Sequence, residues 1–345
     1  MRTAIFLFLL LTLAAGLGGG GASSRARARQ GAAAGTQTPA PRATPTPVDD
    51  DDVVGIRIPL VRLPISVVDK KGQPVAGLSA GDFQIFEDKK AQQFELLSRV
   101  EELERLPVYV GVLMDTSSST AGKLQFEKEA ALNFVHTVAR LRKDKVAFLT
   151  FDHEVNLRQD FTDKLDLLDK AINAVKTPGQ QTSLYDAIWI FCNEKMRGVG
   201  PARRALVVIT DGDDTYSRAT LKDAIDIAQR TETVVFAIST KGGFPGSAVP
   251  GVEAQTVKDS GDKDLVKLCE ETGGRAFFTG DMLALERSFS TIAKEIRSQY
   301  IATYRPSNDR YDGSYRRIEV KLASERDGLK VRAKKGYLAV SDTVK

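Results

Sequence analysis

Two cysteines, two histidines and one tryptophan in 345 residues set aside several functions at once. Cys192 and Cys269 are too few for a disulfide framework, although export would permit one bond. His136 and His153 show neither an H-E-x-x-H run nor any comparable zinc spacing. They also leave no obvious nucleophile–base pair, so the chain reads as a non-enzyme. Positive charge is not concentrated: the formal net charge is +4, part of it from Arg25, Arg27 and Arg29, and no basic face for nucleic acid emerges. Beyond the N-terminus no segment reaches the roughly 18 consecutive apolar residues of a membrane span. Foldable material is ample, because 42% of the residues are hydrophobic.

The first segment present is an address. Arg2, an apolar run over residues 4–15 and small residues through Ala22 fit a secretory signal peptide, residues 1–22, with an uncleaved anchor as the alternative. Cleavage fits after Ala22 or, by an A-x-A match, after Ala28, and no cysteine follows the run to carry a lipid. The expected location is therefore the periplasm, the cell surface or the medium. Residues 23–52 carry Pro39, Pro41, Pro45 and Pro47 and end in Asp49 to Asp52. Such a stretch buries too little apolar surface to offset its ordering entropy and is expected as a disordered linker.

Residues 53–104 then read as short strands. Val61, Leu63, Ile65 and Val67 alternate with more polar positions, and Pro64 points to a sheet edge. Strand patterning returns over residues 299–340, so the two flanks are expected to form one β-sandwich, leaving 341–345 as a tail. Lys334, Lys335, Arg316 and Arg317 read as solvated strand edges. Between the flanks, in residues 105–298, strand and helix patterns alternate, starting with a strand at 108–114 and a helix at 124–141. This predicts an α/β domain with a doubly wound, mostly parallel sheet inserted in the sandwich, with 155–161 as its antiparallel edge.

The chemistry gathers where strand patterns end. Asp115-Thr116-Ser117-Ser118-Ser119 follows the first apolar strand and offers one carboxylate and two hydroxyls at alternate positions. An all-oxygen set suits a hard divalent cation. The same residues also make a good helix cap, and the stretch alone does not separate the two readings. A polar loop, 179–183, opens a second helix, and the strand pattern 205–210 ends in Asp211-Gly212-Asp213-Asp214. In open α/β sheets such loops meet in the crevice outside the carboxyl ends of the strands.

These three segments, in this order and spacing, resemble the von Willebrand factor A domain and its metal-ion-dependent adhesion site, over about residues 107–300. Asp115, Ser117 and Ser119 match the first motif, Thr182 the separate threonine, and Asp211 the aspartate before glycine. The flanking stretches Val67 to Leu78, Asp82 to Asp88 and Gly313 to Val320, with Gly336-Tyr337, resemble the von Willebrand factor A-related proteins of Acidobacteria. The resemblance implies that Ser117, Ser119 and Thr182 coordinate a cation directly while Asp115 and Asp211 act largely through water. One position then remains for a partner's aspartate or glutamate, and the implied function is Mg²⁺-dependent protein binding or adhesion. Two carboxylates with three hydroxyls favour Mg²⁺ or Mn²⁺ over Ca²⁺.

Neighbouring residues have simpler roles at this level: Asp186 as an early-helix acid favourable to the dipole, Asp213 and Asp214 as turn formers, Gly212 at the strand exit. The aperiodic stretch 240–263 is expected to leave the same surface, with Phe244, Val249 and Val252 placed to contact a partner; a flap with no partner is the other reading. Two further function classes stand beside adhesion. A structural module would dock through the sandwich without metal, and a hydrolase would need a nucleophile; the Asp115 motif also lacks the second aspartate of an aspartyl-phosphate phosphatase. Cys192 and Cys269 fall on separate helix patterns, and in the sheet order implied by the resemblance those helices are not neighbours, which favours two buried free thiols.

Overall fold

The computed structural model describes residues 60–98, 105–139, 143–176, 178–210, 213–241, 260–278, 282–324 and 328–340. The expected signal peptide, linker and tail lie outside these residues, as do Asp211, Gly212, Phe244, Val249 and Val252. No described helix is long and apolar enough to cross a membrane.

A six-stranded sheet forms the middle of the fold. Its strands are β5 (Val108–Asp115), β6 (Lys145–Phe151), β7 (Val155–Thr162), β8 (Arg203–Thr210), β9 (Thr233–Ser239) and β10 (Ala276–Phe278). The spatial order is β10-β9-β8-β5-β6-β7, parallel throughout except for β7 at one edge. From β5 the chain winds first one way and then the other, so the topological switch falls between β5 and β8.

Strand alternation divides the apolar side chains between two cores. Val108, Val110, Val112 and Met114 pack with α1 (Leu124–Val138), α2 (Leu165–Asn173) and α6 (Met282–Ser298). Leu113, Leu149, Leu206 and Val235 face α3 (Leu184–Phe191), α4 (Leu221–Arg230) and α5 (Ser260–Thr272). Cys192 and Cys269 lie in this second core as buried free thiols. Because both sheet faces are covered, the strands carry near-continuous Val, Ile and Leu rather than an apolar–polar alternation.

The flanks build two antiparallel sheets. One has the order β13-β1-β11-β4, from β1 (Val61–Val68), β4 (Phe94–Leu97), β11 (Tyr300–Tyr304) and β13 (Lys330–Ala333). The other has the order β14-β12-β2-β3, from β2 (Phe83–Glu87), β3 (Lys90–Gln92), β12 (Tyr315–Leu322) and β14 (Gly336–Leu338). Leu63, Ile65, Phe83, Ile85, Tyr300, Tyr304 and Ile318 join the two in one core, so strands from before and after the α/β domain share each sheet. In that core the buried Glu87 carboxylate accepts from the hydroxyls of Tyr304 (2.8 Å) and Tyr337 (3.0 Å), which satisfies it away from water.

Several local expectations change. β1 is an interior strand, paired on both sides, and not an edge. Pro64 is tolerated because the β13 ladder covers only Ile65 to Val68 and begins after it. α1 stops at Val138, since Ala139 is extended and its N–H closes the last turn on Val135 O. The expected aperiodic stretch 240–263 ends sooner, because α5 starts at Ser260. Lys334 and Arg316 are not solvated: they are only 7% and 5% exposed. Lys334 Nζ donates to Gln229 O, near the end of α4, where a cation meets the negative end of the helix dipole. Arg316 is held by Asp312, to which its guanidinium donates at 3.1 Å. Burial of Lys334 depends on the sandwich closing against α4, and that of Arg316 on contacts within the sandwich, neither of which a single-strand pattern encodes.

Candidate metal centre at the carboxyl ends of the strands

Asp115 ends β5 and is fully buried at the switch point. Its Oδ1 accepts from Ser117 N at 2.8 Å, a local turn that folds the following loop back over the strand end. Its Oδ2 accepts from Thr210 Oγ1 at 2.7 Å, across the crevice from the end of β8. The carboxylate therefore bridges the two strands between which the chain reverses its winding. Thr210 was invisible as a site residue in the sequence, its only mark being a polar side chain closing an apolar run.

The helix-cap reading does not describe this loop. A short 3-10 turn, Ser118–Lys123, follows Ser117, which occupies the N-cap position without a side-chain cap hydrogen bond. Instead, Ser117 Oγ and Ser119 Oγ lie 2.9 Å apart and share a hydrogen bond. Neighbouring ligands of an octahedral ion with metal–oxygen distances of about 2.0–2.1 Å lie about 2.9 Å apart, so the two serine oxygens are spaced as adjacent ligands of such an ion would be.

Thr182 comes from the loop before α3 and is 3% exposed. Its hydrogen bonds to described residues run through the backbone: its N–H donates to Thr215 Oγ1, and its carbonyl accepts from Thr215 N and Tyr216 N. The hydroxyl is left uncommitted among the described residues. Beside it, Ser183 Oγ is buried with no hydrogen-bond partner among them. Such orphaned oxygens are uncommon in a folded interior and mark a place where a ligand or water completes the structure. No group of three His, Cys, Asp or Glu side chains converges among the described residues, so their oxygen donors here are chiefly hydroxyls.

The acids around the loop are structural. Asp186 stands in the first turn of α3, as expected of an acid favourable to the dipole, and it also accepts from Arg218 N and from Ala219 N (2.8 Å), which anchors the loop after β8 to α3. That loop in turn caps α3, with Tyr185 N donating to Asp214 Oδ1 and Asp186 N to Ser217 Oγ. Asp213 pairs with Lys241 at 2.7 Å. Burial and the adjacent Asp264 carboxylate, which accepts a hydrogen bond from it, push the Tyr185 hydroxyl above its ordinary range. His136 is a surface residue paired with Asp169, and His153 Nδ1 lies 2.8 Å from Asp152 Oδ1.

Comparison with solved structures finds several similar chains at low identity. An aerotolerance-related membrane protein from Bacteroides fragilis shares 18% identity over 55% of this chain and 98% of its own, with a TM-score of 0.43. A conserved hypothetical protein, BatB, from Bacteroides thetaiotaomicron shares 19% over 55% and 100%, with a TM-score of 0.40. The vWF domain of the type V pili tip protein Mfa5 from Porphyromonas gingivalis shares 24% over 32% and 40%, at 0.30. No curated protein matches the chain. The family model for the von Willebrand factor type A domain matches residues 110–291, more than half of the chain, and the protein belongs to that family.

Proposed function

We propose that this chain is an exported von Willebrand factor type A protein that binds a partner protein's aspartate or glutamate through a divalent cation, Mg²⁺ or Mn²⁺. Asp115, Ser117, Ser119, Thr182 and Asp211 would hold the ion. The observation that carries this reading is the pair of serine oxygens, 2.9 Å apart, beside a buried carboxylate at the switch point. Bound there, the cation supplies a Lewis-acidic position for the partner's carboxylate.

The protein's own residues make that position selective for an acid. Ser117, Ser119 and Thr182 contribute neutral oxygens, which leave much of the ion's charge unneutralised. Asp115 is already engaged by Ser117 N and Thr210 Oγ1, which suits a role through water better than direct coordination. Phe244, Val249 and Val252 are proposed to contact the partner beside the ion. The sequence at the N-terminus supports export, and the flanking stretches at 67–88 and 313–320 support a place among the Acidobacterial relatives of the family. Binding rather than catalysis is the proposed outcome.

The test is Mn²⁺ binding by electron paramagnetic resonance on the full chain, with Asp115→Ala and Asp211→Ala compared after circular dichroism. Saturable binding, displaced by Mg²⁺ and lost in both folded variants, is expected. Equal binding in all three overturns the metal assignment and leaves the sandwich as the docking element.

A further inference from the structure

We infer that Asp152 is a positioning residue of this site, setting the distance between the Ser117–Ser119 loop and the Thr182 loop; the inference rests on the metal reading above. Asp152 follows β6, whose last residue, Phe151, is in register with Asp115. It is 8% exposed, and its carboxylate and backbone reach both loops. Oδ2 accepts from Thr116 Oγ1 at 3.0 Å, and Thr116 is the residue between Asp115 and Ser117. The Asp152 carbonyl accepts from Ser183 N at 2.8 Å, and Ser183 is the residue after Thr182. Thr116 closes the ring: its N–H donates to Phe151 O at 2.8 Å and its carbonyl accepts from Gly179 N at 2.6 Å.

Turn formation alone does not require this arrangement. An aspartate that merely shaped the β6–β7 turn would need only Oδ1, which accepts from Glu154 N at 3.0 Å. The bond from Oδ2 to Thr116 is additional and points at the metal loop. Gly179 makes room for it, because a Cβ at that position would lie 2.2 Å from Asp152 Cγ. Ser117 and Thr182 are thus each one residue away from a residue hydrogen-bonded to Asp152. Ligand spacing tolerates little error, since a small octahedral ion accepts few distances.

The experiment compares Mn²⁺ affinity of the full chain with Asp152→Ala, Asp152→Asn, Thr116→Val and the Thr116→Val/Asp152→Ala double variant, by electron paramagnetic resonance. Asp152→Ala and Thr116→Val are each expected to weaken binding about 10–100-fold, the usual effect of removing an outer support of a ligand set. The double variant should bind no worse than the weaker single one, as for two ends of one bond. Asp152→Asn should restore most of the affinity: its Oδ1 still accepts from Glu154 N, and its amide can donate to Thr116 Oγ1. In the metal-free protein, amide exchange at Gly179 and Ser183 should quicken in Asp152→Ala and not in Asp152→Asn.

Natural affinity in Asp152→Ala, while the natural chain binds Mn²⁺, overturns the positioning role and leaves the metal reading standing. Equal losses in Asp152→Asn and Asp152→Ala overturn it in favour of a pure charge effect. A natural chain with no saturable Mn²⁺ binding overturns the metal reading and this inference together.

Discussion

Gly111 lies at the middle of β5, four residues before Asp115, and its missing side chain is filled by two neighbours. A Cβ at this position would stand 2.2 and 2.5 Å from Phe191 ring atoms and 2.7 Å from Leu206 Cδ1. Phe191 is fully buried at the end of α3 and packs against Phe161 with the rings tilted at 60° and centroids 5.8 Å apart, so the ring has little room to withdraw. Gly111→Ala therefore overpacks the second core, which costs about 1–3 kcal/mol. The alanine offsets part of this, about 0.4–1 kcal/mol, by restricting the unfolded chain. The difference, a net loss of about 1 kcal/mol, is a measurable part of the roughly 5–15 kcal/mol that stabilises a typical domain. It corresponds to a melting temperature lower by about 2–4 °C.

Urea denaturation followed by circular dichroism, on the natural chain, Gly111→Ala, Phe191→Leu and the double variant, checks the cause as well as the size. If the ring is the obstacle, the smaller side chain makes room. The double variant is then less destabilised than the sum of the singles by about 1 kcal/mol or more. Additivity within about 0.5 kcal/mol, or an undisturbed Gly111→Ala, refutes the packing argument.

Two further outcomes follow from buried titratable groups. Burial pushes the Cys192 thiol up to about 12 and raises Cys269 likewise, against weaker opposing hydrogen bonds, so an aromatic disulfide reagent should label neither thiol in the folded protein and both in urea. Labelling of the native chain would contradict the packing of the second core. Lys334 is held below the ordinary lysine value of 10.5 by burial, with Glu232 opposing. Its unfolded form therefore binds more protons, and the natural chain's stability should rise relative to Lys334→Met as pH climbs toward 10.5. A stability difference that does not move with pH would show that burial of Lys334 leaves its proton affinity unchanged.

Much of the fold was legible because its signals are local. Val108, Val110, Val112 and Met114 alternate with Tyr109, Gly111 and Leu113, and a fully apolar strand of this kind fits only a sheet covered on both faces. In the folded chain Thr220 and Asp223 form a capping box at the start of α4. The Asp115-Thr116-Ser117-Ser118-Ser119 loop displays its donor chemistry in five consecutive residues. Pro64 misled for an equally local reason: its missing N–H marks an unpaired flank, but pairing with β13 begins at the next residue, Ile65. α1 was drawn too long because the apolar spacing continues to Leu141, while the backbone turns extended at Ala139.

What the chain determined by itself was the alternation of strands and helices and the presence of hydroxyls and a carboxylate at a strand end, because side-chain period and loop composition act within a few residues. Tertiary structure alone decided that Thr210, 95 residues from Asp115, shares its carboxylate. It likewise decided that Asp152 ties Thr116 to Ser183, that Asp186 anchors a loop besides opening α3, and that Lys334 and Arg316 are covered. Those contacts depend on which strands become neighbours and on the sandwich closing against α4, and that choice belongs to the packing of the whole chain.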